Sequence, residues 1–480
     1  MKRIFWTLLV ALILPAGGAH SAAGARFTPG PCPVDLDGLD LTIDCGVLQV
    51  PETRGARNSR QVALPVVRVK ATVEKILPDP VIYLHGGPGG GIVGGLRDKL
   101  ENARWQQIVG NSRDWIFFDQ RGGGLAQPLL DCGQLGLSDT GFTSDADVVS
   151  ASACAQRLAA SGVDLSQYNV ATTVADVIDL KNALGYTTFN LYALSYGSRV
   201  AFAVQHYAPR DLRAVVHDSP YPPEARGTEL LPMLLAREVR QTLALCAADT
   251  PCNAAYPDLG GRLDRLLANW LQAPRQHAGR DVTASDLVSF LLDAIYDWEA
   301  ITALPANLDS VLSGDLSPVI DYLDGGGDFA EGQLLAHFCK EELPFENAAA
   351  MTRLAQGDPI AEAALANAHR LFRACAAWPV GNPDPREAEA VRSTVPTLLI
   401  AAEIDAGCPT DFSVAALPLL GAGQYAAVPN AVHNLTNNSD CVMNMLKRFL
   451  DEPEAPIDTA CLTQEHDRMR FQTPAKPPGS

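Results

Sequence analysis

Apolar and polar positions follow two periodicities along this chain, one typical of buried strands and one typical of helices. Continuous apolar runs bounded by turn residues predict strands at 80–84, 114–118, 189–194, 212–220 and 395–402. Between two of these runs, residues 172–185 carry apolar side chains at helical spacing and end in Gly185. Strands that alternate with helices predict the α/β class with a mostly parallel central sheet.

Two regions depart from this pattern. Residues 26 to about 70 form an irregular lead-in that ends in the alternating segment QVALPVVRVK. We interpret that segment as an edge strand, because Pro65 lacks the N–H group that an interior strand needs. Residues 222–389 contain no strand-rich run, only amphipathic helical stretches broken by Pro and Gly. They predict a helical insertion.

The segment 189–200, FNLYALSYGSRV, predicts a serine at a sharp turn between a strand and a helix. Ser195 ends the apolar run, and the small residues Ala193 and Gly197 flank it two positions away on each side. This matches the nucleophile elbow G-x-S-x-G with alanine in the first glycine position. Larger flanking side chains would collide with the neighbouring strand and helix. The helix N-terminus also favours developing negative charge at the serine.

A serine hydroxyl is a weak nucleophile unless a base accepts its proton and an acid orients that base. In α/β-hydrolases the three residues follow in the order serine, acid, histidine. Asp405 follows the strand predicted near residue 400, and His433 follows the next strand-like run. We therefore predict Ser195, Asp405 and His433 as the catalytic residues. The sequence leaves alternatives open: Glu403 or Asp218 for the acid, and His206 or His217 for the base.

Two glycine-rich loops follow the strands that precede the elbow. The first, HGGPGGG at 85–91, suggests close approach of the backbone to a ligand, although a plain flexible turn has the same composition. We predict the N–H groups of Gly87 and Tyr196 as the oxyanion hole. The second loop is DQRGGG at 119–124, in which we expect Asp119 and Arg121 to brace the loops electrostatically.

The place of the helical insertion defines the predicted domain organisation. It comes after the strand that follows the elbow helix, where a cap over a hydrolase site usually begins. We predict a leader at 1–25, a first part of an α/β-hydrolase core at 26–221, a helical cap at 222–390 and the second part of the core at 391–480.

The N-terminus predicts export. Lys2 and Arg3 precede an apolar run from 4 to 14, and Ala23-Gly24-Ala25 fits a cleavage site, with a cut after Ser21 as the alternative. This is a signal peptide pattern, since the run is too short to span a bilayer. We expect an exported protein, periplasmic or secreted, with no membrane insertion after removal of the leader.

The charge of the chain restricts its partners. The net charge over 480 residues is −18, and loss of Lys2 and Arg3 with the leader makes it more negative by two. Such an acidic surface repels phosphate backbones and anionic lipids, so we expect no nucleic-acid partner and no binding to anionic membranes. The sequence leaves the oligomeric state open.

All 11 cysteines lie beyond the leader, which in an exported chain predicts disulfides. Proximity in sequence suggests five pairs and leaves Cys408 unpaired: Cys32–Cys45, Cys132–Cys154, Cys246–Cys252, Cys339–Cys375 and Cys441–Cys461. A zinc site is disfavoured because no H-E-x-x-H or paired C-x-x-C pattern occurs. The predicted chemistry requires neither a metal nor a cofactor.

Several motifs together resemble one family. HGGPGG, DQRGGG followed by Pro128 and Cys132, and YALSYGS are similar to the proline iminopeptidase and tripeptidyl aminopeptidase group of α/β-hydrolases. CGVLQVPE around Cys45 and the pair Cys441 and Cys461 resemble the exported, tripeptidyl-type branch. The resemblance implies the same three catalytic residues, a helical cap over the site, and cleavage of peptides from a free N-terminus.

The chain departs from the family pattern at four positions. Alanine replaces glycine at 193, and glycine occupies the threonine position at 123. Cys408 stands where a threonine before proline is common, and Asn434 where glycine is usual. Because the last two lie close to the predicted catalytic residues in sequence, they affect the expected substrate preference more than the expected fold.

The resemblance also implies carboxylates in the cap that bind a protonated amine. The best candidates are Glu341 and Glu342 in HFCKEELPF, although a solvated helix face would explain them equally well. The resulting expectation is a serine aminopeptidase that releases short peptides or single residues through an acyl-enzyme. The alternatives are a carboxylesterase or lipase-like hydrolase with the same catalytic residues, and a non-catalytic binding protein of the same fold.

Overall fold

The strands of the protein follow its apolar runs closely. The computed structural model describes residues 24–474 except 74, 134, 139, 326–328 and 466–467. The predicted leader at 1–25 therefore lies almost entirely outside the described residues. The strands are β1 (Arg26–Pro29), β2 (Ile43–Pro51), β3 (Gln61–Val69), β4 (Val81–Leu84), β5 (Trp115–Phe118), β6 (Leu137–Ser138), β7 (Gly141–Phe142), β8 (Phe189–Leu194), β9 (Leu212–Asp218), β10 (Arg275–His277), β11 (Arg280–Val282), β12 (Thr397–Ala402) and β13 (Gly423–Val428).

Nine strands form the central sheet in the order β1-β2-β3-β5-β4-β8-β9-β12-β13. From β5 to β13 all neighbours are parallel, whereas β1, β2, β3 and β5 pair antiparallel. This arrangement confirms the predicted α/β class with a mostly parallel sheet. The carboxyl ends of β4, β8, β9 and β12 consequently meet along one edge, where ligands bind in sheets of this kind.

The lead-in differs from the prediction, because it contains β1 and β2 rather than only irregular chain. Leu48 and Val50 are buried in alternation with exposed neighbours, which is the period-2 pattern of a half-buried strand. The edge-strand assignment of 61–70 is also wrong, since β3 pairs with both β2 and β5. Pro65 is tolerated there because β5 ends at Phe118, so the side of β3 on which Pro65 lacks an N–H faces no further strand residue.

Helices cover both faces of the sheet and fill the region between β9 and β12. They are α1 (Leu96–Glu101), α2 (Asp145–Ala160), α3 (Val170–Ala183), α4 (Tyr196–Tyr207), α5 (Gly227–Ala248), α6 (Thr250–Ala255), α7 (Leu259–Trp270), α8 (Ala284–Tyr296), α9 (Trp298–Leu312), α10 (Ser317–Gly325), α11 (Glu331–His337), α12 (Ala348–Ala355), α13 (Pro359–Cys375), α14 (Thr410–Ala416), α15 (Leu435–Asn438), α16 (Asp440–Asp451) and α17 (Leu462–Glu465).

The core divides by the alternation of side chains along each strand. In β4, Tyr83 packs with α1 and α16 on one face, while Ile82 and Leu84 pack with α3 and α4 on the other. Helices α5 to α10 enclose a separate apolar cluster that extends to Cys408 and Val432, next to the edge where the strands end. One small hairpin, β10–β11, interrupts this helical region, which the sequence pattern did not indicate.

The ten cysteines predicted to pair form five disulfides: Cys32–Cys45, Cys132–Cys154, Cys246–Cys252, Cys339–Cys375 and Cys441–Cys461. Cys408 is a free, buried thiol. Disulfides in this number indicate a protein that matures in an oxidising environment. Within the described part of the chain, no helix combines the length and the apolar character needed to cross a bilayer.

Candidate active site

Ser195 occupies the turn between β8 and α4 in a backbone conformation that side-chain-bearing residues rarely adopt. Its φ is 55° and its ψ is −127°. The turn is also crowded: a Cβ atom at Gly197 would lie 2.3 Å from the carbonyl oxygen of Leu84, and one at Gly86 would lie 2.7 Å from the Cβ of Ser195. Both positions therefore require glycine, and the strained turn holds the serine at the edge of the sheet.

Asp405 and His433 are in hydrogen-bond contact at the same edge. His433 Nδ1 lies 2.7 Å from Asp405 Oδ2, and the aspartate is buried while the histidine remains partly exposed. The other carboxylate oxygen of Asp405 accepts from the N–H groups of Gly407 and Cys408 at 3.2 and 2.8 Å. The aspartate is thus fixed by its own loop, and it orients the imidazole through Nδ1.

The free thiol of Cys408 lies close both to Ser195 and to the pair formed by Asp405 and His433. Its Sγ lies 3.8 Å from Ser195 Oγ, and Asp405, Cys408 and His433 have ligand-type atoms within 4.8 Å of one another. Burial, together with the charge of Asp405, raises the pKa of the Cys408 thiol well above its ordinary value. The thiol therefore stays protonated at neutral pH, and the reactive thiolate form is disfavoured.

Three of the four alternative residues have other surroundings, and the fourth, Asp218, binds peptide N–H groups just after His433. Glu403 is exposed and accepts the N–H of Asn430, while His206 is exposed on α4. His217 is buried in β9, where it stacks on Phe202 with ring centroids 4.1 Å apart, and burial lowers its pKa to about 3. The carboxylate in contact with a histidine at the sheet edge is that of Asp405.

The two predicted oxyanion donors line the same cavity as Ser195. This cavity measures about 80 Å³ and its walls include Gly87 and Tyr196. Gly87 has a φ of 122°, a value that favours glycine, and Gln120 Nε2 holds the loop by donating to the carbonyl of His85 at 2.8 Å. The first residue of α4 and a residue of the glycine-rich loop therefore border the space next to the serine, where the predicted oxyanion hole would lie.

The second glycine-rich loop braces the first, as predicted. The buried carboxylate of Asp119 accepts from the N–H groups of Ile92 and Val93, just after the first loop, and from that of Leu125, just after the second. Arg121 pairs with Asp176 at 2.6 Å, which anchors the loop to α3. The bracing role expected for Asp119 and Arg121 is confirmed.

The adjacent residues Glu341 and Glu342 have different surroundings. Glu341 is buried away from the cavity, where its carboxylate accepts from Tyr196 Oη at 2.8 Å and contacts His337 Nδ1 at 2.9 Å. Burial opposes its ionisation, but His337 and Arg199 outweigh this effect and lower the pKa of Glu341. Glu341 is a structural link between the elbow helix and the helical region.

Glu342 instead lines the cavity that contains Ser195. Its Oε1 accepts from the N–H and the hydroxyl of Thr228 at 3.2 and 2.9 Å. Burial raises the pKa of Glu342, against the opposing charge of Arg199. Glu346 also accepts the N–H of Thr228, so two carboxylates meet close to the cavity. Of these two carboxylates, that of Glu342 belongs to the cavity wall.

Two residues at the site were not predicted from the sequence in the roles that the structure gives them. Tyr296, at the end of α8, packs its ring edge to face against His433 with centroids 4.8 Å apart and also lines the cavity. Asp218, at the end of β9, binds the N–H groups of Leu435 and Thr436 just after His433. A tyrosine at a helix end gives no sequence signal, whereas Asp218 ends a predicted strand and is one of the alternatives for the acid.

One cluster among the described residues has the composition of a metal site, namely Asp405, Cys408 and His433. Its carboxylate already binds the histidine ring and two peptide N–H groups. Two of its three members, Asp405 and His433, are predicted catalytic residues.

Comparison with known families identifies the class of the protein. A model described as "alpha/beta hydrolase fold" matches residues 79–247, and a model described as "TAP-like protein" matches residues 361–461. The chain thus has the α/β-hydrolase fold. It carries a TAP-like C-terminal region, which confirms the resemblance to the proline iminopeptidase and tripeptidyl aminopeptidase group. No curated protein matches the sequence at a significant level.

Solved structures with similar folds include peptidases and esterases. A proline iminopeptidase from Mycobacterium smegmatis is 14% identical, with 85% of this chain and 98% of that chain covered and a TM-score of 0.42. A proline iminopeptidase-related protein from Thermus thermophilus is 17% identical, with 85% and 97% covered and a TM-score of 0.39. An esterase from Exiguobacterium antarcticum is 11% identical, with 82% and 97% covered and a TM-score of 0.35.

Proposed function

We propose that the protein is an exported serine aminopeptidase that cleaves peptides from a free N-terminus. The observation that supports this most directly is that Glu342 and Ser195 line one small cavity. A buried carboxylate beside a nucleophile suits a substrate whose protonated amine lies close to the carbonyl under attack. Five disulfides support maturation in an oxidising compartment, as export through the predicted leader requires.

The proposed acylation step uses three side chains and two peptide groups. His433 Nε2 accepts the proton of Ser195 Oγ while that oxygen attacks the carbonyl carbon of the first substrate residue. The N–H groups of Gly87 and Tyr196 stabilise the negative oxygen of the tetrahedral intermediate. The C–N bond then breaks, and the departing amine takes the proton from His433. Asp405 keeps the imidazole oriented and stabilises its charged form.

Deacylation repeats the same transfers with water. His433 accepts a proton from the water as the water oxygen attacks the acyl carbon, and the Ser195 Oγ–acyl bond breaks. The proton returns to Ser195, and the released product carries a new carboxylate. The step needs no group beyond those of the chain and the water molecule.

Amine recognition by Glu342 gives the first prediction. We expect Glu342→Gln to lower kcat/KM for an alanyl or prolyl anilide with a free amine by about 10- to 100-fold, because a charge-assisted hydrogen bond is lost. Hydrolysis of an uncharged acetate ester should change less than about threefold. Burial raises the pKa of Glu342, so this carboxylate is protonated at a higher pH than an exposed glutamate. The preference for free-amine over N-acetylated substrate should therefore weaken as the pH falls, and it should do so at that higher pH.

The matched control for this variant is Asp321→Asn, which removes one negative charge from an exposed position on α10 of the helical region. Its free-amine selectivity should equal that of the wild type. If the wild type cleaves N-acetylated and free-amine anilides equally well, the aminopeptidase assignment is wrong and a carboxylesterase becomes the better assignment. If a fluorophosphonate labels no serine, the protein is a binding protein of the same fold.

The size of the cavity gives a second prediction, on the length of the acyl group. A volume of about 80 Å³ lies well below the ~300 Å³ at the lower end of sites for drug-sized ligands. An extended tripeptide would place its amine ~10 Å from the carbonyl under attack. We therefore expect kcat/KM for aminoacyl anilides with small side chains to exceed that for tripeptidyl anilides at least tenfold. The reverse order would assign tripeptidyl release instead.

A further inference from the structure

Three residues other than glycine adopt a positive φ at the candidate site. They are Ser195 with φ 55°, Ser219 with φ 56° and Asn434 with φ 62°. Each is a residue of the site or adjoins one: Ser195 is the nucleophile, Ser219 follows Asp218, and Asn434 follows His433. Such conformations persist only where surrounding contacts fix them. The contacts that fix all three converge on the end of β9.

Asp218 is hydrogen-bonded both to the turn that carries Ser195 and to the segment 434–436, which follows His433 and is called the histidine loop below. Its carbonyl oxygen accepts the N–H of Ser195 at 3.0 Å. Its carboxylate accepts the N–H groups of Leu435 and Thr436 at 3.0 and 2.9 Å and the hydroxyl of Thr436 at 2.9 Å. The hydroxyl of Tyr192 in β8 donates to the same carboxylate at 2.8 Å. The side chain is completely buried.

Ser219 extends this arrangement to the strand that leads to Asp405. Its N–H donates to the carbonyl of Ile400 in β12 at 2.9 Å, and its Oγ accepts the N–H of Asn434 at 3.2 Å. Three successive peptide N–H groups after His433 thus bind the pair Asp218 and Ser219. The end of β9 is therefore hydrogen-bonded to the chain segments that carry all three predicted catalytic residues.

The carboxylate of Asp218 accepts hydrogen bonds from these peptide and hydroxyl donors and also interacts with the charge of Lys99. A buried carboxylate with such donors depends on their geometry, and a shift of the segment after His433 would remove the donors that Leu435 and Thr436 supply. The stability of the charged Asp218 carboxylate is consequently coupled to the position of the histidine loop.

We propose that Asp218 is a positioning residue of the reaction, which sets the separation of Ser195 and His433 without contacting the substrate. The inference rests on the catalytic roles proposed above for those two residues, but not on the aminopeptidase specificity. An asparagine has the same shape, yet its amide group presents a donor where one carboxylate oxygen now accepts an N–H. The histidine loop must then move to relieve this contact, which misplaces the base.

The test measures rate per active site in Asp218→Asn, with an uncharged ester and a fluorophosphonate as probes. We expect kcat for the ester to fall about 10- to 100-fold with KM within twofold of wild type. The fluorophosphonate labelling rate should fall by the same factor while the labelled fraction stays near one. A variant that labels incompletely but at the wild-type rate has only lost folded protein, and this would overturn the proposal.

Asp79→Asn is the matched control. Asp79 is also a buried aspartate, but it binds Arg113 and Asn190 at the opposite end of the strands. The Asp79→Asn variant should lose thermal stability and keep its rate per labelled site.

If Asp218→Asn does not fold, the variant Thr436→Val provides the test, since it removes one donor from the Asp218 carboxylate and keeps the peptide contacts. Complete labelling at two- to tenfold lower rate supports positioning, and an unchanged rate overturns it. Loss of free-amine preference in any of these proteins bears on the proposed specificity alone.

Discussion

Replacing Ser195 with alanine is expected to lower kcat by at least about 10⁴-fold while leaving the fold intact. Oγ is the only heavy atom removed. The strained turn is held by β8, by the close approach of Gly86 and Gly197 to neighbouring atoms, and by the hydrogen bond from the Ser195 N–H to the carbonyl of Asp218. Removal of the nucleophile from a serine hydrolase eliminates the acyl-enzyme route, and only stabilisation by the oxyanion donors and substrate binding remain. The measurement is steady-state hydrolysis of an alanyl anilide, with fluorophosphonate labelling of the same preparation.

Ser413→Ala provides the control for loss of a buried hydroxyl. Ser413 lies in α14, and its Oγ has no hydrogen-bond partner among the described residues. This variant should retain wild-type kcat and label fully. Turnover by Ser195→Ala above about 1% of wild type, in protein free of contaminating peptidase, would show that another group is the nucleophile.

The central sheet and the elbow could be predicted because their signals are local. The apolar run of β8 and the small residues around Ser195 lie within about a dozen consecutive positions, so the elbow can be predicted from one short segment. The spacing of apolar residues alone predicts the helix α3. The pairing of β3 was not readable in this way. Pro65 argues for an edge, but the partner strand β5 ends just before the proline would interrupt its hydrogen bonds. Where the neighbouring strand ends depends on tertiary structure, so the local sequence around Pro65 does not predict it.

The side-chain environment of the site was predictable only in part. Asp405 and His433 each follow a strand, and parallel strand ends meet at one edge, so their proximity follows from the pattern. Glu341 and Glu342 are adjacent in sequence, and only packing decides that one binds Tyr196 and the other faces the cavity. Tyr296 reaches His433 from a helix about 140 positions away, which no local pattern encodes.

The second large effect is expected for Asp405→Asn, which should lower kcat by about 10³- to 10⁴-fold. The asparagine keeps the contact distance to His433 but presents a group that cannot stabilise the charged imidazolium, and it favours the wrong tautomer of the neutral ring. Binding of substrate is unaffected, because Asp405 does not line the cavity. KM should therefore change little, and the loss should appear in kcat for anilides and in the rate of fluorophosphonate labelling.

Glu403→Gln separates this effect from a general loss of negative charge near the histidine. Glu403 lies two positions before Asp405 on the same loop, but its carboxylate is exposed and accepts the N–H of Asn430. Its removal should change kcat less than about twofold. A larger loss in Glu403→Gln than in Asp405→Asn would mean that the 2.7 Å contact of Asp405 with His433 does not persist during turnover, and that the histidine rotates towards a different acid.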